Sequence, residues 1–126
     1  MIRTYRGSCH CGAVAFRFCA EPITRAVRCN CSLCIRRGAV ISPGYVHAPD
    51  VEVTGAEYLS RYSFGDRTLN HLFCRACGVS VFSTVAHLPD DYQGPATIGA
   101  YRINLGCVDD LDVFSLTVHV VDGRSF

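Results

Sequence analysis

TLNHLFCRACGVSVFS, residues 68–83, sets two strand candidates, TLNHLF (68–73) and VSVFS (79–83), on either side of a CxxC pair, Cys74 and Cys77. Two thiolates separated by two residues meet one cation only where the backbone turns between them. Gly78, directly after Cys77, permits the positive φ such a turn needs. A knuckle of this kind between short strands points to small sheets fastened by metal.

Working outward, the remaining segments read the same way. In AVAFRF (13–18), Val14, Phe16 and Phe18 alternate with Ala15 and Arg17, the period of two of a half-buried strand. In FSLTVHVV (114–121), Phe114, Leu116, Val118 and Val120 share one face, and Ser115, Thr117 and His119 the other. Shorter candidates are AVIS (39–42), VEV (51–53), YLSRYS (58–63) and TIGAYRINL (97–105), separated by the turn signals SPG (42–44), HAP (47–49), FGD (64–66) and LPDDYQGP (88–95). The only helix expected is a turn or two from Ser32, whose hydroxyl is the expected cap. The pattern is that of an all-β protein, sandwich-like or made of small packed sheets, in a single domain over 1–126.

The chain has 126 residues, a formal net charge of +1 and nine cysteines. That length lets one domain bury roughly two-thirds of its unfolded surface. The near-neutral charge gives no basic patch for nucleic acid, so no nucleic-acid partner is expected. No run approaches the ~20 apolar residues of a membrane span. MIRTYRGSCHC, at the start, lacks the apolar stretch of a signal peptide, and a cytoplasmic location is expected.

Seven of the nine cysteines fall into CHC (Cys9, Cys11), CNCSLC (Cys29, Cys31, Cys34) and FCRAC (Cys74, Cys77), leaving Cys19 and Cys107 isolated. An odd number of thiols in a chain without secretory signals argues against a disulfide framework. Clustering at two- and three-residue intervals argues for zinc. CHCG offers a second chelating pair, with Gly12 in the part of Gly78. Cys9, Cys11, Cys74 and Cys77 would together make a closed four-sulfur site, worth on the order of 10 kcal/mol of folding free energy. Cys29, Cys31 and Cys34 would then form a set of three, which suits a reactive metal with one position open. Two other partitions fit the spacing. Cys29 and Cys31 can join Cys74 and Cys77, or the trio can take a fourth ligand from His10, Cys19, His47, His71 or Cys107. Zinc with three thiolates is a weak Lewis acid towards water but still holds an incoming thiol as thiolate, which favours thiol activation over hydrolysis. Arg36 and Arg37, beside the trio, are the candidate anchors for substrate carboxylates.

GSCHCGAVAF, RCNCSLCIRRGA and HLFCRACGVSVF, in that order and followed by INLGCVDDLD and VVDGRSF, resemble the glutathione-dependent formaldehyde-activating enzyme family, also called the centromere protein V family. The resemblance runs from about Gly7 to the end, with a departure at Asn30, where many members carry histidine. It implies a β-tent of small antiparallel sheets. It also implies two zinc ions per chain, a structural one at Cys9, Cys11, Cys74 and Cys77 and a catalytic-type one at Cys29, Cys31 and Cys34. The implied activity is that of a carbon–sulfur lyase acting on S-hydroxymethylglutathione or another small-thiol adduct. A non-catalytic zinc- and glutathione-binding module is the alternative. A chromatin-associated scaffold, suggested by the second family name, is a further one.

Overall fold

The computed structural model describes residues 1–125; Phe126, last residue of the closing VVDGRSF motif, lies outside the described residues. Strands β1 (Arg3–Ser8), β2 (Ala15–Ala20) and β4 (Val51–Thr54) form one antiparallel sheet in the order β1-β2-β4. A four-stranded antiparallel sheet joins β5 (Leu59–Tyr62), β6 (Leu69–Cys74), β7 (Ser80–Val85) and β8 (Tyr101–Ile103) in sequence order. Between them, β3 (Arg25–Cys29) pairs with β9 (Thr117–Val121), and this pair is parallel. Parallel strands need a long crossover, and here most of the chain supplies it.

Alternation in AVAFRF buries Val14, Phe16 and Phe18. Tyr5 stacks on Phe18 with ring centroids 5.3 Å apart, while Phe16 meets Phe82 of the large sheet edge-on at 5.8 Å. Each such side chain contributes about 1.5–3 kcal/mol by leaving water. This aromatic contact is one of the links between the two antiparallel sheets, which share a single core cluster.

Three segments differ from the sequence expectation. FSLTVHVV becomes a strand only from Thr117, because the Asp112 carboxylate accepts the Phe114 N–H at 3.1 Å and caps a 3₁₀ turn over Val113–Ser115. Leu116 packs on the core, but Phe114 is 97% exposed and Val120 66%. Thr117 and His119 on the opposite face are exposed as well, so the alternation marks a strand here without marking a buried face. AVIS is no strand; its Ile41 makes isolated bridges to Val27 and Asn104, linking the parallel pair to the large sheet. In TIGAYRINL only Tyr101–Ile103 is extended. β1 and β3, rich in arginine, carry too little alternation to stand out. Among the described residues, no helix is long and apolar enough to cross a membrane.

Candidate metal centres

Cys9 and Cys11 follow the end of β1, Cys74 closes β6, and Cys77 lies in the turn before β7. Their four sulfurs lie within 4.8 Å of one another. Tetrahedral zinc with Zn–S bonds of about 2.3 Å requires sulfurs about 3.8 Å apart. The Cys9–Cys11 and Cys11–Cys74 separations are 3.7 and 3.8 Å. All nine cysteines are free of disulfides. The donor set therefore fits zinc. Gly12 and Gly78 take φ of 82° and 81°, the left-handed turns the knuckles need. Backbone N–H groups of Cys11 and Val79 hold the Cys77 thiol down to about 6, and the Val14 N–H donates to Cys9 Sγ at 3.4 Å. Pairing of Cys9 and Cys11 with Cys74 and Cys77 leaves Cys29 and Cys31 to the trio.

The trio is made by one local device. β3 delivers Cys29, the chain turns through Asn30, and α1 (Ser32–Arg37) starts at once. The helix is capped by Cys31, not by Ser32: the Cys31 sulfur accepts the Cys34 N–H at 3.4 Å. A second backbone donor, Cys31 N–H, points at Cys29 Sγ, also at 3.4 Å. The three sulfurs lie within 4.8 Å of one another, and none of His10, Cys19, His47, His71 and Cys107 joins them among the described residues. Burial, and then the neighbouring Cys31, push the Cys34 thiol up to about 12. The protein alone thus keeps a proton there, and an added cation is what would remove it. Cys107 is buried beside the other cluster, its thiol pushed up to about 11 by burial.

A strap from the C-terminal segment lies against the trio. Asn30 Nδ2 donates to Asp122 Oδ1 at 2.9 Å, and the Arg124 N–H donates to Asn30 Oδ1 at 2.9 Å. Gly123 passes so close that a Cβ there would sit 2.3 Å from Cys29 Sγ. These contacts join residues more than ninety positions apart, and no local signal marks them.

A cavity of about 1080 Å³ opens from the trio between the parallel pair and the large sheet. Arg37 stands at its wall. Its Nη2 donates to Cys34 Sγ at 3.7 Å, and its Nη1 lies 3.3 Å from His71 Nδ1 and 3.5 Å from Ser83 Oγ. Ser83 Oγ is itself 2.9 Å from His71 Nδ1. A guanidinium only donates, so His71 Nδ1 carries a lone pair and the proton sits on Nε2. Burial and the Arg37 charge lower the His71 pKa to about 4. The imidazole is therefore neutral, and Phe64 stacks on it at 5.7 Å. Arg36 points elsewhere: its Nη1 donates to Ser32 O at 2.8 Å, and with Arg124 it lines a second, shallower hollow that shares Cys31, Phe64 and Gly123 with the cavity.

A sequence model of the family described as "Glutathione-dependent formaldehyde-activating enzyme" matches residues 4–121. Among solved structures, the crystal structure of a Rhodobacter sphaeroides protein is similar to this chain. It shows 31% sequence identity and a TM-score of 0.71, over 90% of this chain and 99% of that one.

Proposed function

This chain belongs to the glutathione-dependent formaldehyde-activating enzyme family, and from that premise we propose that it is a zinc enzyme of the carbon–sulfur lyase type. Its substrate is the adduct of glutathione, or another small thiol, with an aldehyde; S-hydroxymethylglutathione is the simplest case. Two zinc ions are assigned per chain, a structural one to Cys9, Cys11, Cys74 and Cys77 and a reactive one to Cys29, Cys31 and Cys34. The observation that carries this reading is three gathered sulfurs, with no fourth protein ligand among the described residues, at the mouth of a large cavity. Zinc bound there supplies the positive charge that turns an incoming thiol into a thiolate.

The chain's own residues do the rest. Arg36 and Arg124, in the shallow hollow, hold the carboxylates of the thiol through charge-assisted bonds. Arg37, turned towards Cys34, His71 and Ser83, orients the imidazole instead of reaching outward. As the carbon–sulfur bond forms, the carbonyl π pair moves onto oxygen and the proton shed by the thiol ends there. His71 Nε2–H donates to that oxygen while its charge builds, the role of a fixed oxyanion donor. Cleavage runs through the same contacts in reverse. Metal-binding thiols must stay reduced to serve, which goes with a cytoplasmic location.

The test is turnover of S-hydroxymethylglutathione by the wild type and by Cys31→Ser. Loss of the enzyme-dependent rate in the variant is expected, and equal rates overturn the proposal. Glutathione binding by calorimetry, with no acceleration by the wild type, selects the non-catalytic binding module.

A further inference from the structure

The cavity, about 1080 Å³, is far larger than a one-carbon group needs, and its wall changes character along β6 and β7. Arg37 connects Cys34 to the His71/Ser83 pair, which face each other across β6 and β7. The next pair on that face, two residues along, is Leu69/Val85, about 7 Å along the strands from His71/Ser83. There Leu69 and Val85 join Tyr45, Leu88, Tyr92 and Ala96 in an apolar cluster separate from the main core, and all six line the cavity.

Two of the polar groups on that stretch of the lining are already engaged. The Tyr92 hydroxyl accepts the Ala96 N–H at 2.9 Å. Arg102 Nε donates to Ser42 O at 2.6 Å, and its guanidinium lies 5.1 Å from the centre of the Tyr45 ring. Most of the lining is carbon, with Asp66, Thr68 and Arg102 among its polar members. A hydroxymethyl group fills one corner and leaves the apolar wall to water, whereas clefts of 300–1,000 Å³ ordinarily enclose whole organic ligands. The second hollow, which meets the cavity at Cys31, Phe64 and Gly123, offers Arg36 and Arg124 as partners for the carboxylates of glutathione. The trio thus stands at a neck between a cationic hollow and an apolar chamber.

We propose that the aldehyde-derived half of the adduct is an apolar group of several carbons, alkyl or aryl, seated among Leu69, Val85, Leu88, Tyr92 and Ala96. This rests on the reading of the trio as a thiol-adduct site. The thiol half lies on the side of Arg36, the carbon skeleton on the side of Ala96, and the new carbon–sulfur bond at the neck.

Calorimetric titration of the zinc-loaded full chain with S-methylglutathione, S-hexylglutathione and benzyl mercaptan tests it. S-hexylglutathione is expected to bind at least about tenfold more tightly than S-methylglutathione, a conservative fraction of what five added methylenes yield on burial. Ala96→Phe, which fills the chamber, should erase that gain and leave S-methylglutathione affinity unchanged. Equal affinities of the two conjugates for the wild type overturn the proposal, and this comparison stands even if the variant fails to fold. If neither conjugate binds but benzyl mercaptan does, and about tenfold more weakly to Ala96→Phe, the chamber stands and the glutathione half of the reading falls. If none of the three binds, both fall.

Discussion

The four-sulfur cluster and the three-sulfur cluster use the same side chain within one small domain, yet they are anchored in opposite ways. Cys11 and Cys74 are 63 residues apart and come from different sheets, and Cys9 and Cys74 are buried. A cation there would close a long loop and clamp the β1-β2-β4 sheet onto the large one. Cys29, Cys31 and Cys34 come from six consecutive residues and are all half-buried. Their loop is held without metal, through Val27–Ile41 bonds of 2.8 and 2.9 Å and the Asn30–Asp122 strap. Separation along the chain therefore decides what a metal can do: a remote set binds sheets together, and a local set leaves its ion free for chemistry.

The largest effect that would break this contrast comes from single-sulfur replacements. Cys74→Ser should abolish the cooperative thermal transition followed by circular dichroism. The lost metal linkage, on the order of 10 kcal/mol, rivals the whole 5–15 kcal/mol of a typical domain. Cys31→Ser should keep that transition within a few degrees of wild type while native mass spectrometry records one zinc fewer. Similar melting of both variants would end the distinction.

Gly123→Ala sharpens it from the other side. The new Cβ meets Cys29 Sγ at 2.3 Å, so either the strap or the sulfur must retreat. Zinc affinity at the trio should fall about 10- to 100-fold, the usual scale for disturbing a ligand's supporting shell. The four-sulfur site should be untouched. Chelator competition, resolving one weak and one tight equivalent, reads both in one titration. Two weakened equivalents would mean that the clusters share their support.

These experiments also mark where sequence reading stops. The cysteine pairs and the trio are legible because ligation imposes short-range spacing. That spacing leaves open which pairs share an ion until the fold brings Cys9 and Cys11 to Cys74 and Cys77. β2 is legible from its alternation, and β4–β7 as short segments between turn signals. The cap on α1 was misread, since a hydroxyl is the ordinary cap and only the folded turn shows Cys31 sulfur in its place. Asn30 with Asp122, Gly123 on Cys29, and Arg37 on His71 and Ser83 are meetings of distant segments. The chamber around Ala96 likewise exists only once β6, β7 and the loop after Val85 are assembled.

His71 gives the next-smaller effect and ties the trio to its cavity. His71→Phe should lower turnover of the adduct about tenfold or more, whereas His71→Gln, which keeps a side-chain donor, should recover part of it. Zinc content should be wild type in both. A fall in zinc would make His71 a support for the metal site and not a donor to the substrate.

The smallest effect is a pH dependence of stability, and its sign follows from the same contacts. Burial and the facing Arg37 guanidinium lower the His71 pKa to about 4, and the other neighbours of the ring, Ser83 and Phe64, carry no charge. In the unfolded chain the group titrates near its ordinary value of about 6.5. Between these two values the unfolded state binds more protons, so the stabilisation is full above about 6.5 and is lost as pH falls towards 4. A proton bound only on unfolding sets a ceiling of about 1.4 kcal/mol per pH unit; partial exposure of the ring brings the slope below that. Acid also protonates the thiolates and releases metal, but wild type and His71→Gln share that loss. Urea unfolding of both proteins from pH 7 to 4.5 isolates the histidine: the wild type should lose more stability than the variant over this window, and parallel curves would show that His71 titrates alike in the folded and unfolded chain.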